Sequence, residues 1–106
     1  MVAHAMASNR LEILKSMAAA NPNDIFARYG LAMEYRSAGD LEGAVREFRA
    51  LMAAHPDYAA TYLHAGQTLE RLGRLDEARE VYRQGIEVTT RIGDRHACAE
   101  LEAALG

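Results

Sequence analysis

The sequence predicts an all-α fold, a row of antiparallel helical hairpins, and three observations carry that expectation. Apolar residues recur at spacings of three and four in segments rich in Ala, Leu and Met, which is the periodicity of helices and not of strands. Two stretches superimpose at an offset of 34 residues: Gly39, Leu41, Ala44 and Arg49 return as Gly73, Leu75, Ala78 and Arg83, while Phe48 is answered by Tyr82 and Met52 by Ile86. The segments are joined by short connections, which force neighbouring helices to run antiparallel and turn the row of hairpins into a solenoid. Run backwards, the same offset sets Leu11, Leu14, Met17 and Pro22 under Val45, Phe48, Leu51 and Pro56, so the pattern begins before its first full copy.

Each helix has its own start and stop. The first is expected from Asn9 to Ala20, with Asn9 and Glu12 in capping-box positions and Asn21-Pro22-Asn23 ending it. The second spans Asp24 to Ala38; Gly39 supplies a left-handed stop, and Asp40 caps a third helix that reaches Ala54 ahead of His55-Pro56. The fourth runs from Asp57 to Leu72 and is stopped by Gly73, and the fifth from Leu75 to Ile92. Gly93-Asp94 resets the chain into a last helix ending at Leu105. No linker or low-complexity stretch intervenes. Residues 1–106 are therefore expected to form one domain: a leader or tail over 1–8, a half repeat over 9–23, repeats over 25–58 and 59–92, and a capping helix over 94–105.

Composition narrows the classes of function. A chain of 106 residues buries only roughly 60–65% of its unfolded surface, so a modest stability margin is expected. The formal charge of -3 divides into six basic and six acidic residues up to Ala53, then six basic and nine acidic. Neither half carries the basic stripe of a nucleic-acid binder. Cys98 is the only cysteine, so no internal disulfide forms and an oxidising compartment is not implied. Met1 to Met6 lacks the basic start and long apolar run of a secretory signal, and no apolar run approaches the roughly 20 residues that cross a bilayer. A cytoplasmic protein without membrane contact is the expectation.

At this point the chain resembles the tetratricopeptide repeat (TPR) family, of the small bacterial kind. Its signature is an aromatic, Leu-Gly and Tyr in one helix, then Ala, an aromatic and Pro in the next. Those places fall on Arg28, Leu31, Ala32, Tyr35, Ala44, Phe48 and Pro56 in the first copy, and on Tyr62, Ala65, Gly66, Leu69, Ala78, Tyr82 and Thr90 in the second. Arg28 stands where the family has a bulky aromatic, and Thr90 where it has the closing proline, so the fifth helix runs on to Ile92 and the last need not keep the repeat register. The small residues Ala32, Gly66, Ala44 and Ala78 permit close helix approach, and Gly66→Leu is expected to overpack the crossing. The resemblance implies a right-handed superhelical solenoid of two full repeats with flanking capping helices. It also implies a binding module for a peptide or protein segment, held in a concave groove lined by the first helix of each hairpin.

The candidate site follows from what packing leaves over. In the second helix Leu31, Ala32 and Tyr35 supply the core, and Phe26, Tyr29 and Met33 form another apolar stripe. Ala60, Leu63, His64 and Gln67 are its neighbours in the next copy, with Arg36, Glu70 and Arg71 at the rim. The expected peptide-binding residues are thus Phe26, Tyr29, Met33, Arg36, Leu63, His64, Gln67 and Arg71, a surface suited to an apolar or amphipathic segment. The Lys and Asn with which some TPR proteins hold chaperone C-terminal carboxylates are absent from these places. The other readings are that the chain covers the stripe itself, with Val2 to Met6 or the last helix, or that it self-associates, as a homodimer through the stripe or the end helices.

No catalytic residue, metal or cofactor is expected. His96-x-Cys98 with His64 lacks paired ligand spacing, and Cys98 reads as a small buried hydrophobe. His55 and His96 read as turn or surface residues. The carboxylates Glu42, Glu47, Asp76, Glu77, Glu80 and Glu87 interleave with Arg46, Arg49, Arg79 and Arg83 at helical spacing, which is a solvated face with weak ion pairs. No phosphate-cradling loop or nucleophile elbow is present.

Overall fold

A computed structural model describes the backbone of residues 2–106 and the side chains from Asn9 onward. Among the described residues six helices and no strand are found: α1 (Val2–Ala20), α2 (Ile25–Ser37), α3 (Leu41–Ala54), α4 (Ala60–Arg71), α5 (Leu75–Ile92) and α6 (Arg95–Leu105). Each helix packs on the next in the chain, and α4 also touches α6, giving a row 41 × 29 × 19 Å. The hairpins are α2–α3 and α4–α5, with α1 before them and α6 after.

The turns within the hairpins are set by backbone chemistry. Gly39 and Gly73 take φ of 87° and 77°, the left-handed region where a Cβ is strained. The following residues close the same ring, Asp40 N–H onto the Tyr35 carbonyl and Arg74 N–H onto Leu69, both at 2.9 Å. Asp40 then accepts from the Gly43 N–H at 2.9 Å, and Asp24 and Asp94 cap α2 and α6 in the same way. Arg74 has no such capping atom. Its guanidinium instead joins Glu77 on its own helix and Glu42 at the start of α3, at 2.5 and 3.0 Å, tying the two hairpins together across the surface.

The repeat also explains Arg28. The Tyr62 hydroxyl donates to the Pro56 carbonyl at 2.6 Å, and 34 residues earlier the Arg28 Nε donates to the Pro22 carbonyl at 2.6 Å. The arginine thus closes the same loop that the aromatic closes in the second copy, and its Nη1 lies 3.8 Å from Glu47.

Between the helices lies one continuous core of Ala32, Ala44, Phe48, Tyr62, Ala65, Leu69, Ala78, Tyr82 and Leu101, with a smaller cluster of Ala18, Ala27 and Leu31 joining α1 to α2. Phe48, Leu51, Leu69 and Leu101 are buried completely or nearly so, each worth roughly 1.5–3 kcal/mol of transfer free energy. Tyr35 sits between helices, with the charged ends of Lys15 from α1 and Arg46 from α3 both within 6 Å of its ring centre, at 5.9 and 5.7 Å.

Two expected boundaries move. α1 begins at Val2, so Asn9 lies inside the helix and is not its cap, and residues 2–8 continue α1 where a leader outside the pattern was expected. Ala3, Ala5, Met6 and Ala7 are strong helix formers with no Gly or Pro to stop them. α4 starts at Ala60 and not Asp57: the Tyr58 N–H turns back onto the His55 carbonyl, and Asp57 pairs with Arg91 at 2.6 Å. Cys98 is half-buried rather than enclosed, with its Sγ 3.3 Å from a Glu102 oxygen.

A Cβ on Gly66 would overlap the Tyr82 ring, which is itself 1% exposed and has nowhere to go. Gly66→Ala gains about 1 kcal/mol of helix propensity and is expected to lose more to overpacking, about 1–3 kcal/mol. Thermal unfolding followed by circular dichroism should show a lower midpoint for Gly66→Ala; an unchanged or higher midpoint would mean that the α4–α5 approach is not set by this contact.

Candidate protein-binding face

The eight residues expected to form one groove are divided by the structure into three sets. Tyr29 and Arg36 turn from α2 toward α4 and meet His64 there. The Tyr29 ring stands edge-on to Phe48, Tyr58 and His64, at centroid distances of 6.3, 5.5 and 5.7 Å, and the His64 ring stacks on Phe48 at 6.4 Å. Tyr29 is therefore a half-buried wall between the hairpins, its ring engaged by Phe48, Tyr58 and His64. Leu63 and Gln67 are half-buried on α4, and Arg71 is exposed in its last turn.

Phe26 and Met33 form the third set. They line a hollow of about 420 Å³ between α1 and α2, with Ile13, Leu14 and Gly30 completing its apolar part. An ion pair from Arg10 to Glu34 at 2.8 Å forms one wall. Phe26 is 74% exposed and Ile13 57%, whereas Leu14 is half-buried beneath them. The contribution of α1 was missed by the sequence reading, although the 34-residue offset carried the signal, since it sets Leu14 under Phe48 and Gly30 under His64.

His64 is the titratable group whose state matters most here. Burial, and then the neighbouring Arg36 cation, push its pKa below the ordinary 6.5, with Glu100 of α6 pulling weakly the other way. An Arg36 nitrogen lies 3.0 Å from His64 Nδ1, and because a guanidinium only donates, Nδ1 accepts and the imidazole is neutral with its proton on Nε2. The Tyr29 hydroxyl is held above its usual pKa by burial and by Tyr58, so it too is neutral. At the far side of α4 the Tyr82 hydroxyl donates to Glu70 at 2.9 Å, and burial and this carboxylate raise its pKa. Among the described residues no group of three or more His, Cys, Asp or Glu is placed to hold a metal, and no helix is long and apolar enough to cross a membrane.

With this geometry established, the model of the tetratricopeptide repeat family matches residues 29–89, more than half of the chain. The chain belongs to the tetratricopeptide repeat family. A TPR repeat-containing protein of Pseudomonas aeruginosa is 30% identical over 95 residues, 90% of each chain. The TPR domain protein of Salinibacter ruber, solved by crystallography, is 40% identical, covers 77% of this chain and 91% of its own, and superimposes with a TM-score of 0.71. PcrH, solved in complex with the chaperone binding region of PopD, superimposes with a TM-score of 0.84 over 98% of this chain and 79% of its own, at 17% identity, which shows a shared fold. The two hairpins here are thus TPR units, and α2 and α4 are their first helices.

Because the native pKa of His64 is depressed, the unfolded chain binds a proton below about pH 6.5 that the native state resists. This contribution to stability is complete above that pH and is lost as pH falls through it. The unfolding midpoint of the wild type should therefore drop more between about pH 7.5 and about pH 5.5 than that of His64→Gln. The paired carboxylates Asp57 and Glu77, whose pKa values lie below the ordinary range, act only in more acidic solution. Parallel pH profiles for the two proteins would show that the Arg36–His64 contact does not constrain the imidazole.

Proposed function

We propose that this TPR protein is a binding module that holds a segment of another protein along the concave face of α2 and α4. Phe26, Met33, Leu63 and Gln67 form the floor, Arg36 and Arg71 the rim, and the packed Tyr29–His64 pair keeps the two helices at a fixed spacing. The observation that carries this reading is Phe26, a phenylalanine 74% exposed on a helix whose remaining apolar side chains are wholly or partly packed. A side chain of this size left in water on a well-packed scaffold suits an interface. Membership of a family dominated by non-catalytic scaffolds agrees with it, as does PcrH, the same fold, holding a region of PopD. The titratable groups of the face, His64 and Tyr29, are engaged in packing and in the Arg36 contact, so binding and not catalysis is the chemistry proposed, in the cytoplasm.

Peptides selected from a displayed library against the wild-type chain should bind Phe26→Ala about tenfold or more weakly, the loss of roughly 1.4 kcal/mol that an apolar anchor supplies. Their binding should also move the amide NMR signals of Leu63, Gln67 and Arg71. Unchanged affinity for Phe26→Ala, with the moving signals on α3 and α5, would refute the concave-face reading.

A further inference from the structure

The hollow between α1 and α2 has a counterpart inside the molecule. Shifted by 34 residues, its lining becomes the junction of α3 and α4, and there the space is occupied: α2 inserts Tyr29 against Phe48 and His64 and sets Arg36 on the imidazole. At the α1–α2 junction nothing in the described chain plays the part of α2.

The two junctions differ in depth and in the placing of their apolar side chains. In the floor, Phe48 and His64 are replaced by the smaller Leu14 and Gly30, and a Cβ built on Gly30 would meet only the Leu14 side chain, at 3.1 Å. At the rim, Glu47, Ala60 and Gln67 are replaced by Ile13, Phe26 and Met33, which are larger or more apolar, while along one wall the buried Ala44 and Thr68 give way to the Arg10–Glu34 ion pair. Moving from the filled junction to the open one therefore deepens the floor and sets three apolar side chains at the rim, opposite one charged wall. A mere chain end would be expected to do the opposite, as α6 does at the other end, where Arg95, His96, Glu100 and Glu102 face solvent.

We propose that this slot is an open repeat junction that docks one amphipathic helix of a partner protein, in the place that α2 takes one repeat later. The helix carries two large apolar anchors seven residues apart, where α2 carries Tyr29 and Arg36. The first is aromatic and at least as large as tyrosine, because the floor beneath it is deeper. The second is apolar, because Gly30 offers no acceptor where His64 meets Arg36. The proposed occupant is a partner's helix, since α1 runs as unbroken helix through residues 5 and 6, the counterparts of the Gly39-Asp40 turn, and does not fold back there onto the slot. A second copy stacked head to tail would set the charged outer face of α6 against Ile13, Phe26 and Met33, a desolvation cost that only the Arg10–Glu34 wall could partly offset. The slot shares Phe26 and Met33 with the concave face but is built on α1, and the proposal stands if that face binds nothing.

The probe is a synthetic peptide of residues 24–38 with Tyr29→Trp and Arg36→Leu, cross-linked to hold it helical. The protein has no tryptophan, so the peptide's indole reports its own burial. Saturable blue-shift of its emission on titration with the full chain is expected, and Ile13→Glu, an exposed position outside the concave face, should weaken it tenfold or more without lowering the protein's unfolding midpoint. Arg83→Glu on the outer face of α5 should leave it unchanged. Absence of saturable binding overturns the proposal. Binding that ignores Ile13→Glu while moving the NMR signals of Leu63 and Gln67 also overturns it, and leaves the concave-face reading intact. A wild-type dimer in sedimentation that Ile13→Glu dissociates and the peptide does not would assign the slot to a second copy, against this proposal.

Discussion

The geometry of this molecule depends on the contact between the Tyr82 ring and the bare backbone of Gly66. A ring lying where a side chain would start brings α5 closer to α4 than any other residue at position 66 allows. The same exchange recurs at Gly85, where a Cβ would fall 2.6 Å from the Tyr62 side chain and 2.8 Å from Leu101. In the first hairpin the counterparts of Gly66 and Tyr82, Ala32 and Phe48, are both fully buried. Once these depths are set, α4 lies at the distance from α2 at which His64 reaches Tyr29, Phe48 and Arg36 together. The candidate face is thus a consequence of the core, and its wall is as rigid as the aromatic cluster behind it.

Electrostatics contribute connection more than stability. Arg74, Arg49 and Arg91 reach across the stack to Glu42, Glu77 and Asp57, but these pairs lie in solvent, where such contacts are worth little. The more consequential polar contacts are those that close loops. Tyr62 onto Pro56 and Arg28 onto Pro22 fix how each hairpin is entered, and two residues of unlike chemistry serve one geometric role because only a donor at that height is required. The neutral imidazole of His64 belongs with these, since its acceptor state is imposed by a cation that has no acceptor of its own.

The hairpins were legible in the sequence because their determinants are local: glycine at a left-handed turn, followed by a capping aspartate at Asp40 though not at Arg74, and apolar residues at helical spacing. The TPR register made the small residues at 32, 44, 66 and 78 readable as well. The start of α1 was not, since Asn9 and Glu12 form a plausible cap that stronger helix formers upstream override. Nor was the division of the apolar stripe. Tyr29 and Met33 are four apart on one helix face and both pack against the main core, yet Tyr29 meets the rings of Phe48, Tyr58 and His64 while Met33 also lines the hollow beside α1, and only the position of α1 makes that hollow. Phe26 was readable as surplus to the core, while Ile13 and Leu14 were obscured by belonging to a half repeat with no partner helix among the described residues.

The stack is therefore asymmetric, with a polar end at α6 and an apolar one at α1 and α2. Solvent paramagnetic relaxation of side-chain methyl signals, with a neutral soluble probe and the free wild-type chain, tests this most directly. The Ile13 methyls should relax strongly and those of Leu69 and Leu101 hardly at all. Equal protection of Ile13 and Leu101 would contradict the open end, and strong relaxation of Leu69 would contradict the continuous core itself.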